Sequence, residues 1–369
     1  MGFAMSLYDQ IWSWPNLLLA YRRASRGKRG RGMVAAFEHR LEERLFELQE
    51  ALRSYTYRPG SYRNFFIHEP KRRLISAAPF RDRVVHHAFC QIAEPRWTSG
   101  FIDDSFANRM GKGTHRALNR VQEFSRRFPY VLQCDIRQFF PSIDHEILRE
   151  ILSRTTPDFQ LLWLVNQILE GSVGILSEEY TMRYFPGDDL WSVFRPRGLP
   201  IGNLTSQCWA NCYLNGFDHF VKRQLRCPGY VRYVDDFVLF GHEKRQMLVW
   251  KNQVQDRLNQ LRLTLHSGTH PRPVTEGVPF LGFVVYPERR LLKRRKGIHF
   301  QRCLRRQLAA YQQGTCSQEQ IQASVQGWVN HVRYGNTVGL RKKMLASVKL
   351  PFEYLTSGKE ESSCQIQSP

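Results

Sequence analysis

Tyr230-Val231-Arg232-Tyr233-Val234-Asp235-Asp236-Phe237-Val238-Leu239-Phe240-Gly241 decides how the rest of the chain is read. Apart from Arg232, the two acids and the closing glycine, the stretch consists of aromatic, β-branched and aliphatic residues, types that favour strands. Its Val-Asp-Asp centre is polar enough to turn, which predicts a β-hairpin with Asp235 and Asp236 at the tip. Neighbouring carboxylates near a turn can aim at one point, and like charges held together repel unless a cation lies between them. The question the sequence poses is what these acids hold.

The chain has 369 residues, 42% hydrophobic and 24% charged, which is enough for a sizeable core divided into two or three subdomains. Its charge is less ordinary, because 54 Lys+Arg against 33 Asp+Glu leave a formal +21. Such an excess calls for an anionic partner, nucleic acid ahead of a membrane surface. No run of about 18 or more apolar residues is present to span a bilayer. The apolar stretch from Ile11 to Tyr21 contains Pro15 and Asn16 and lacks a small-residue cleavage site, so no signal peptide is expected. The 8 cysteines form no Cys-x-x-Cys pair and read as reduced, mostly buried thiols of a cytoplasmic protein. Cys208 and Cys212 lie one helical turn apart with nothing nearby to complete a zinc set, so core packing is expected of them.

From the N-terminus, residues 1–21 read as helical and 22–31 as a flexible basic loop. Its cations Arg22, Arg23, Arg26, Lys28, Arg29 and Arg31 make it a candidate phosphate-contacting arm. The spacing of Phe37, Leu41, Leu45, Leu48 and Leu52 predicts one amphipathic helix over 33–53. Short strands follow among cations that include Lys71 and Arg73, and strand-mounted cations can face a polyphosphate with little loss of entropy. Helices are predicted over 82–94 and 114–127, separated by Gly111-Lys112-Gly113-Thr114, which lacks the earlier glycine of a Walker loop. Tyr130 to Asp135 is an apolar strand ending in a carboxylate, costly there unless paired or metal-bound. On its own Asp135 could equally cap a helix or form half of an ion pair.

A helix over 144–170 and hairpin character over 173–197 are predicted next. The loop from Arg197 to Gln207 then feeds a helix running through Phe220. Gly202 allows close backbone approach to a ligand, and the helix N-terminus favours anions. A helix over 246–261 precedes Leu263–Leu265 and Pro279–Val285, read as a second hairpin-like pair. The cations Arg289, Arg290, Lys293, Arg294, Arg295 and Lys296 lead into helices over 299–312 and 318–333, the latter opened by a Ser317/Gln320 capping box. From Thr356 the chain is polar and Ser-rich, and disorder is expected.

Asp135, Asp235 and Asp236, with basic segments on both sides, suit two divalent cations about 3.5–4 Å apart that activate a 3′-hydroxyl and stabilise a leaving pyrophosphate. From the residues alone, template-directed nucleotidyl transfer and non-polymerising nucleic-acid binding both stay open. Tyr233-Val234-Asp235-Asp236, however, resembles the Tyr-x-Asp-Asp box of reverse transcriptases. The resemblance extends in order through Arg73-Leu74 to Arg83, Asn108-Arg109, Asp135-Ile136 with Phe139-Phe140, Gly202 to Gln207, and Phe280-Leu281-Gly282, covering residues 55–285.

It implies an α+β right-hand polymerase. An N-terminal helical and basic extension would occupy 1–54 and the fingers 55–129. The palm, an antiparallel sheet flanked by helices, would span 130–288 with a finger insertion around 155–200. A helical thumb over 289–355 and a disordered tail over 356–369 would complete it. The same resemblance makes Asp135 and Asp235 the principal ligands of two Mg²⁺ ions, for which Mn²⁺ can substitute, with Asp236 completing the acidic set and the Ile136 carbonyl contributing. Phe140 matches the aromatic gate against a ribose 2′-hydroxyl, and Lys71 and Arg73 match finger residues on the incoming triphosphate. Ile201, Gly202 and Gln207 face the nucleotide, and Phe280-Leu281-Gly282 resembles the primer grip. The implied partners are template RNA, dNTPs and an RNA–cDNA duplex. Arg22, Arg23, Arg26, Lys28 and Arg29 at one end, and Arg290, Lys293, Arg294 and Arg295 at the other, would contact the nucleic-acid backbone.

One box separates subfamilies. Where most reverse transcriptases carry Gln-Gly-x-x-x-Ser-Pro, this chain has Ile201-Gly202-Asn203-Leu204-Thr205-Ser206-Gln207. That form resembles the enzymes of bacterial and phage diversity-generating retroelements, which copy a template-repeat RNA with errors at adenines for mutagenic retrohoming. Replacing an amide by Ile201 removes a polar contact, and apolar sites discriminate less sharply than hydrogen-bonding ones; alternatively Ile201 only repacks the loop. A small helical accessory protein is the expected partner, with no membrane involved and a bacterial cytoplasmic setting. No lysine stands where many relatives carry a proton donor, and His266 or His270 are substitutes without an assigned role. No endonuclease, RNase H or protease segment is expected. The competing readings are a reverse transcriptase of intron-like or defence role and a catalytically silent RNA-binding protein, the latter disfavoured by the presence of all three acids.

Overall fold

The computed structural model describes residues 5–68 and 72–346, so Lys71 and the tail from Thr356 lie outside the described residues. The chain divides into two compact units, one running to Glu276 and the other beginning at Gly277.

The first unit starts with helices α1 (Leu7–Trp12), α2 (Trp14–Ser25), α3 (Gly32–Glu38) and α4 (Leu41–Arg53). They are followed by strands β1 (Arg63–Ile67) and β2 (Arg73–Ala77) and helices α5 (Phe80–Thr98) and α6 (Thr114–Arg127). β1 and β2 pair as an antiparallel hairpin with Phe65 opposite Ile75. The N-terminal helices are part of the core. Tyr8 donates from its hydroxyl to the Leu52 carbonyl at 2.6 Å, and the buried Asn16 amide donates to the carbonyls of Ile11 and Ala88, on α5.

Next come β3 (Tyr130–Asp135), α7 (Phe139–Ser142), α8 (His145–Thr155), α9 (Phe159–Glu170), α10 (Leu204–His219), β4 (Gly229–Tyr233), β5 (Asp236–Gly241), α11 (Lys244–Gln260) and β6 (Pro271–Pro273). The strands form an antiparallel sheet in the order β4-β5-β3-β6. β5 is buried from Phe237 to Gly241, as its continuous apolar run requires of a central strand. Glycine is needed at position 229, where an added Cβ would come within 2.8 Å of Phe240 Cβ.

The second unit holds the antiparallel sheet of β7 (Val278–Phe280), β8 (Phe283–Val285) and β9 (Arg290–Leu292), and helices α12 (Arg294–Gln312), α13 (Gln318–Val332) and α14 (Val338–Ala346). Its helices bury Phe300, Leu304, Ile321, Val325, Trp328 and Val332, with the Phe300 and Trp328 rings stacked at 4.3 Å. The Ser317/Gln320 capping box forms as expected.

Several local expectations are corrected. The basic stretch 22–31 is not one loop: Arg22 and Arg23 close α2, and the remainder is a pair of hydrogen-bonded turns, with Lys28 N–H donating to Ser25 O and Arg31 N–H to Lys28 O. The helix over 33–53 breaks between Glu38 and Leu41. The helix over 144–170 breaks at Pro157, after which Asp158 caps α9 by accepting from Leu161 N–H. Among its described residues, 173–197 forms no strands. Short 3₁₀ turns at Ser177–Glu179 and Leu190–Phe194 take their place. Leu265 bridges Ile136, and the second hairpin is instead β7–β8, with Leu281-Gly282 as its turn.

Candidate active site

The hairpin forms as its sequence predicts, with Tyr233 paired to Asp236 and Val234-Asp235 making the turn. Val234 takes φ +61°, a left-handed conformation that a β-branched residue adopts only when its surroundings impose it. Arg232 supplies part of that imposition by donating from Nη1 to the Val234 carbonyl at 3.0 Å. It is fully buried, forms two 2.7 Å hydrogen bonds with Asp218, and reaches Asn211 and the Ser105 hydroxyl as well. Tyr230 donates to the same Asp218 carboxylate. Thr114, from the glycine-rich box, has its hydroxyl 3.2 Å from that of Tyr233. Nothing in the sequence singles out Asp218, Asn211 or Ser105, because they meet Arg232 only through the fold.

Asp135 stands directly opposite Asp236 across β3 and β5. Ile136 N–H donates to the Asp235 carbonyl at 3.2 Å, which ties the end of β3 to the turn. The three acids and Ile136 are therefore gathered at one end of the sheet. Burial first, and then the charge of Asp135, push the Asp235 carboxyl up to about 6, against the pull of Arg73 and Arg232. A pair of carboxylates that resist sharing negative charge is a fitting host for a hard cation. Among the described residues, no three or more His, Cys, Asp or Glu side chains are gathered at metal-ligating distance. Mg²⁺ needs no such cage, because it is held by one or two carboxylates and completes its coordination with substrate phosphates and water. The donor set thus fits that ion.

His266 approaches the same acids, with Nε2 3.8 Å from Asp135 Oδ2 and both side chains about half exposed. Its backbone N–H donates to the Asp135 carbonyl at 3.0 Å. A hollow of about 250 Å³ beside Asp135 is lined by Gln133, His266, Thr269, His270 and Arg272.

The loop expected to face the nucleotide is tied to the β1–β2 hairpin. Ser76 N–H, on β2, donates to the Ile201 carbonyl at 3.1 Å, and Gly202, at φ +127°, lies close to the Ser76 carbonyl. β2 also carries Arg73, whose charge reaches Asp235, so Arg73 and Ile201 belong to one frame around the acids. Phe140, on α7, is held by Leu199 N–H donating to its carbonyl at 2.9 Å. Gln138 starts α7 in a left-handed conformation and fastens the 173–197 segment by donating to the Glu179 carbonyl. Lys71 is outside the described residues. Phe280, Leu281 and Gly282, with Arg290, Lys293, Arg294 and Arg295, belong to the second unit, where Lys293 N–H donates to the Gly282 carbonyl.

An antiparallel sheet that lifts paired carboxylates on a hairpin, beside a second, basic hairpin and a glycine-containing loop, is the arrangement of a right-hand polymerase. Residues 67–285 match the family model described as reverse transcriptase (RNA-dependent DNA polymerase), and the chain belongs to that family. It is 24% identical over 226 residues to protein YkfC of Escherichia coli strain K12, an alignment covering 58% of this chain and 52% of YkfC. It is 26% identical over 184 residues to the group II intron-encoded protein LtrA of Lactococcus lactis subsp. cremoris, covering 49% of this chain and 28% of LtrA. The chain thus spans about half the length of the first relative and under a third of the second. Among solved structures, apo telomerase from Candida tropicalis is similar with a TM-score of 0.42 and 11% identity, over 62% of this chain and 48% of that one. No described helix is long and apolar enough to cross a membrane.

Proposed function

We propose that this chain is an RNA-directed DNA polymerase that extends a primer on template RNA with dNTPs. One observation carries the reading: Asp135 and Asp236 face each other across the sheet while the turn holds Asp235 beside them, its carboxyl pushed up to about 6. Asp135 and Asp235, with Asp236 and the Ile136 carbonyl, would hold Mg²⁺, or Mn²⁺ in its place. Bound there, the ions would polarise the primer 3′-hydroxyl and offset charge on the leaving pyrophosphate. The chain's own residues do the positioning. Arg73 offers its guanidinium to the triphosphate, Phe140 excludes a ribose 2′-hydroxyl, and Ile201 and Gly202 bound the space beside the nascent pair. Phe280-Leu281-Gly282 would grip the primer, and the basic residues of the second unit would follow the duplex backbone.

Primer extension on an RNA template with Mg²⁺ tests the reading directly. Incorporation by the wild-type chain and its loss in Asp235→Ala are expected. Full extension by that variant would remove the polymerase assignment.

The finer reading is a diversity-generating role in a bacterial or phage-encoded system, with a helical accessory protein as partner and copying errors concentrated at adenines. It is supported by Ile201 in place of an amide and by Gln207 closing the box. The likeness to a group II intron-encoded protein favours an intron-type role as the second reading. Sequencing the cDNA separates the two: errors clustered at template adenines support the first, and accurate copying supports the second.

A further inference from the structure

The helices of the first unit leave a second hollow, of about 550 Å³, bounded by the C-terminal end of α5, by α8, by the last turns of α10 and by the end of α11. None of the three acids lines it. Its size falls within the roughly 300–1,000 Å³ of pockets that take small organic ligands. Trp97, Phe101, Ile147, Ile151, Phe217 and Leu261 give it an apolar wall, in which Trp97 and Phe217 are buried.

An independent observation says that this space is kept open. Gly216 lies inside α10, where glycine is the least favourable residue after proline. A Cβ added to it would meet nothing nearer than Arg257 Nη2, at 4.0 Å. Close packing therefore does not require glycine there, and its backbone is helical. What the missing side chain supplies is room in the hollow that Gly216 lines. Directly after His219 the helix widens into a single π turn, Phe220–Gln224, and the Arg257 guanidinium lies over the Phe220 ring, 5.9 Å from its centroid. Such turns recur at functional sites.

The charges around the hollow are unbalanced. Arg96, Arg154 and Arg257 line it against one carboxylate, that of Glu150, which already accepts from Arg154 at 2.5 Å. Arg257 donates to the neutral Gln260 side chain, and neither it nor Arg96 has a carboxylate partner among the described residues. An apolar wall beside two guanidiniums without counter-charge suits a ligand that carries an apolar body and an anionic group together. A nucleic-acid backbone would satisfy the arginines and leave the Trp97 and Phe217 wall unused.

We propose that this hollow binds an amphipathic organic anion, whose ring or short alkyl chain fills the space before Gly216 and whose carboxylate or sulfonate is held by Arg96 and Arg257. α10 follows the Ile201-Gly202 loop and α11 follows the Asp235-Asp236 hairpin, so a ligand here ties together the two helices that continue those segments. The proposal does not rest on the polymerase reading.

The test is equilibrium binding by the full chain without template or metal, using octanoate and the fluorescent anilinonaphthalene sulfonate as probes. Saturable binding of both is expected, with octanoate displacing the dye and raising the melting temperature. Octanol, of the same chain length but uncharged, should bind about ten-fold more weakly, and Arg96→Gln with Arg257→Gln should weaken octanoate by about ten-fold or more. Gly216→Leu fills the hollow with a good helix former and should abolish displacement. Absence of saturable binding, or octanoate affinity undiminished in Gly216→Leu, overturns the site. If that variant fails to fold, the arginine variant decides alone, since Arg96 is exposed and Arg257 partly so, and unchanged affinity there overturns it equally. Displacement of the dye by a single-stranded RNA but not by octanoate would give the hollow to nucleic acid and overturn the proposal. Primer extension is not among these readouts, so failure of the site leaves the polymerase reading untouched.

Discussion

Arg232 and Asp218 form an ion pair with two 2.7 Å hydrogen bonds and no exposure of either side chain. The pair stands behind the Tyr-x-Asp-Asp turn, and the remaining Nη1 of Arg232 holds the Val234 carbonyl. Three layers of cause therefore lie under the acids. The strand pattern makes a hairpin, the hairpin needs a left-handed valine, and a buried arginine keeps the valine there. Arg232 gives little sign of this in the sequence, where a lone cation in an apolar strand would ordinarily lie at an edge or turn toward solvent.

Asp218→Asn should be among the most destabilising single changes in the first unit. Removing one partner of a buried pair leaves the other charge uncompensated, at a cost of about 3–5 kcal/mol. Replacing both at once, Asp218→Leu with Arg232→Met, should cost clearly less than the two single losses combined. Urea unfolding of the wild type, Asp218→Leu, Arg232→Met and the double variant measures the coupling, and Asp218→Asn is read against the wild type. A coupling energy near zero would mean that the pair does not act as a unit.

Asp235→Asn should separate stability from activity. The carboxyl is raised from 3.8 to about 6, so ionising it opposes folding, with the opposition growing from pH 4 to 6 and complete above 6. The amide removes that cost, and the variant should be more stable than wild type by about 1–3 kcal/mol at pH 7.5 and indistinguishable at pH 4. Primer extension should fall about a thousand-fold or more. Adding Mg²⁺ should raise the melting temperature of the wild type and leave that of the variant nearly unmoved.

How much of this could be read beforehand depends on whether the cause is local. The hairpin, the strand ending at Asp135 and the Ser317/Gln320 cap all follow from short patterns, and all appear in the fold. Leu190, Trp191, Val193 and Phe194 look like strand residues and predict a hairpin, but they are exposed on a 3₁₀ turn closed by the Asp189/Ser192 capping box. The hydrogen bonds of that cap outcompete a weak strand preference. Lys28 reads as part of a loose basic arm, because the turns that fix it and the helix it faces are far apart in the chain. Residues that act through tertiary contact, such as Asp218, Asn211 and Ser105 around Arg232, carry no local signal.

His86 and His87 should make the first unit sensitive to acid. Burial and neighbouring cations depress them to about 3 and 4, so the folded chain keeps both neutral where the unfolded chain is protonated. Their stabilising contribution is present above pH 6.5 and is lost as pH falls toward 4, by about 2 kcal/mol for each at pH 5. Glu94 acts in the opposite direction, since burial raises its carboxyl to about 7. Comparing wild type with His86→Gln cancels that term, and the loss of stability between pH 7.5 and 5 should be smaller in the variant. Equal losses in guanidinium unfolding would show that His86 is not the sensor.

Ile201→Gln bears on fidelity, and the geometry says why it should be separable from rate. The Ile201 backbone carbonyl already accepts from Ser76 N–H, so the loop stays attached to β2 whatever the side chain is. The side chain is partly exposed, and glutamine can occupy the site without displacing a fully buried neighbour. On the proposed placement of Ile201, what changes is the polarity beside the nascent pair. A hydrogen-bonding group there makes a mispair leave a polar atom unmet, which raises discrimination where an apolar wall is indifferent. Misincorporation opposite template adenine should therefore drop about ten-fold in Ile201→Gln, with extension on a matched template changed less than three-fold. Sequencing cDNA from both chains on one adenine-rich RNA measures it. An unchanged error spectrum would mean that Ile201 only packs the loop, and that any mutagenic copying arises elsewhere in the chain or in its partner.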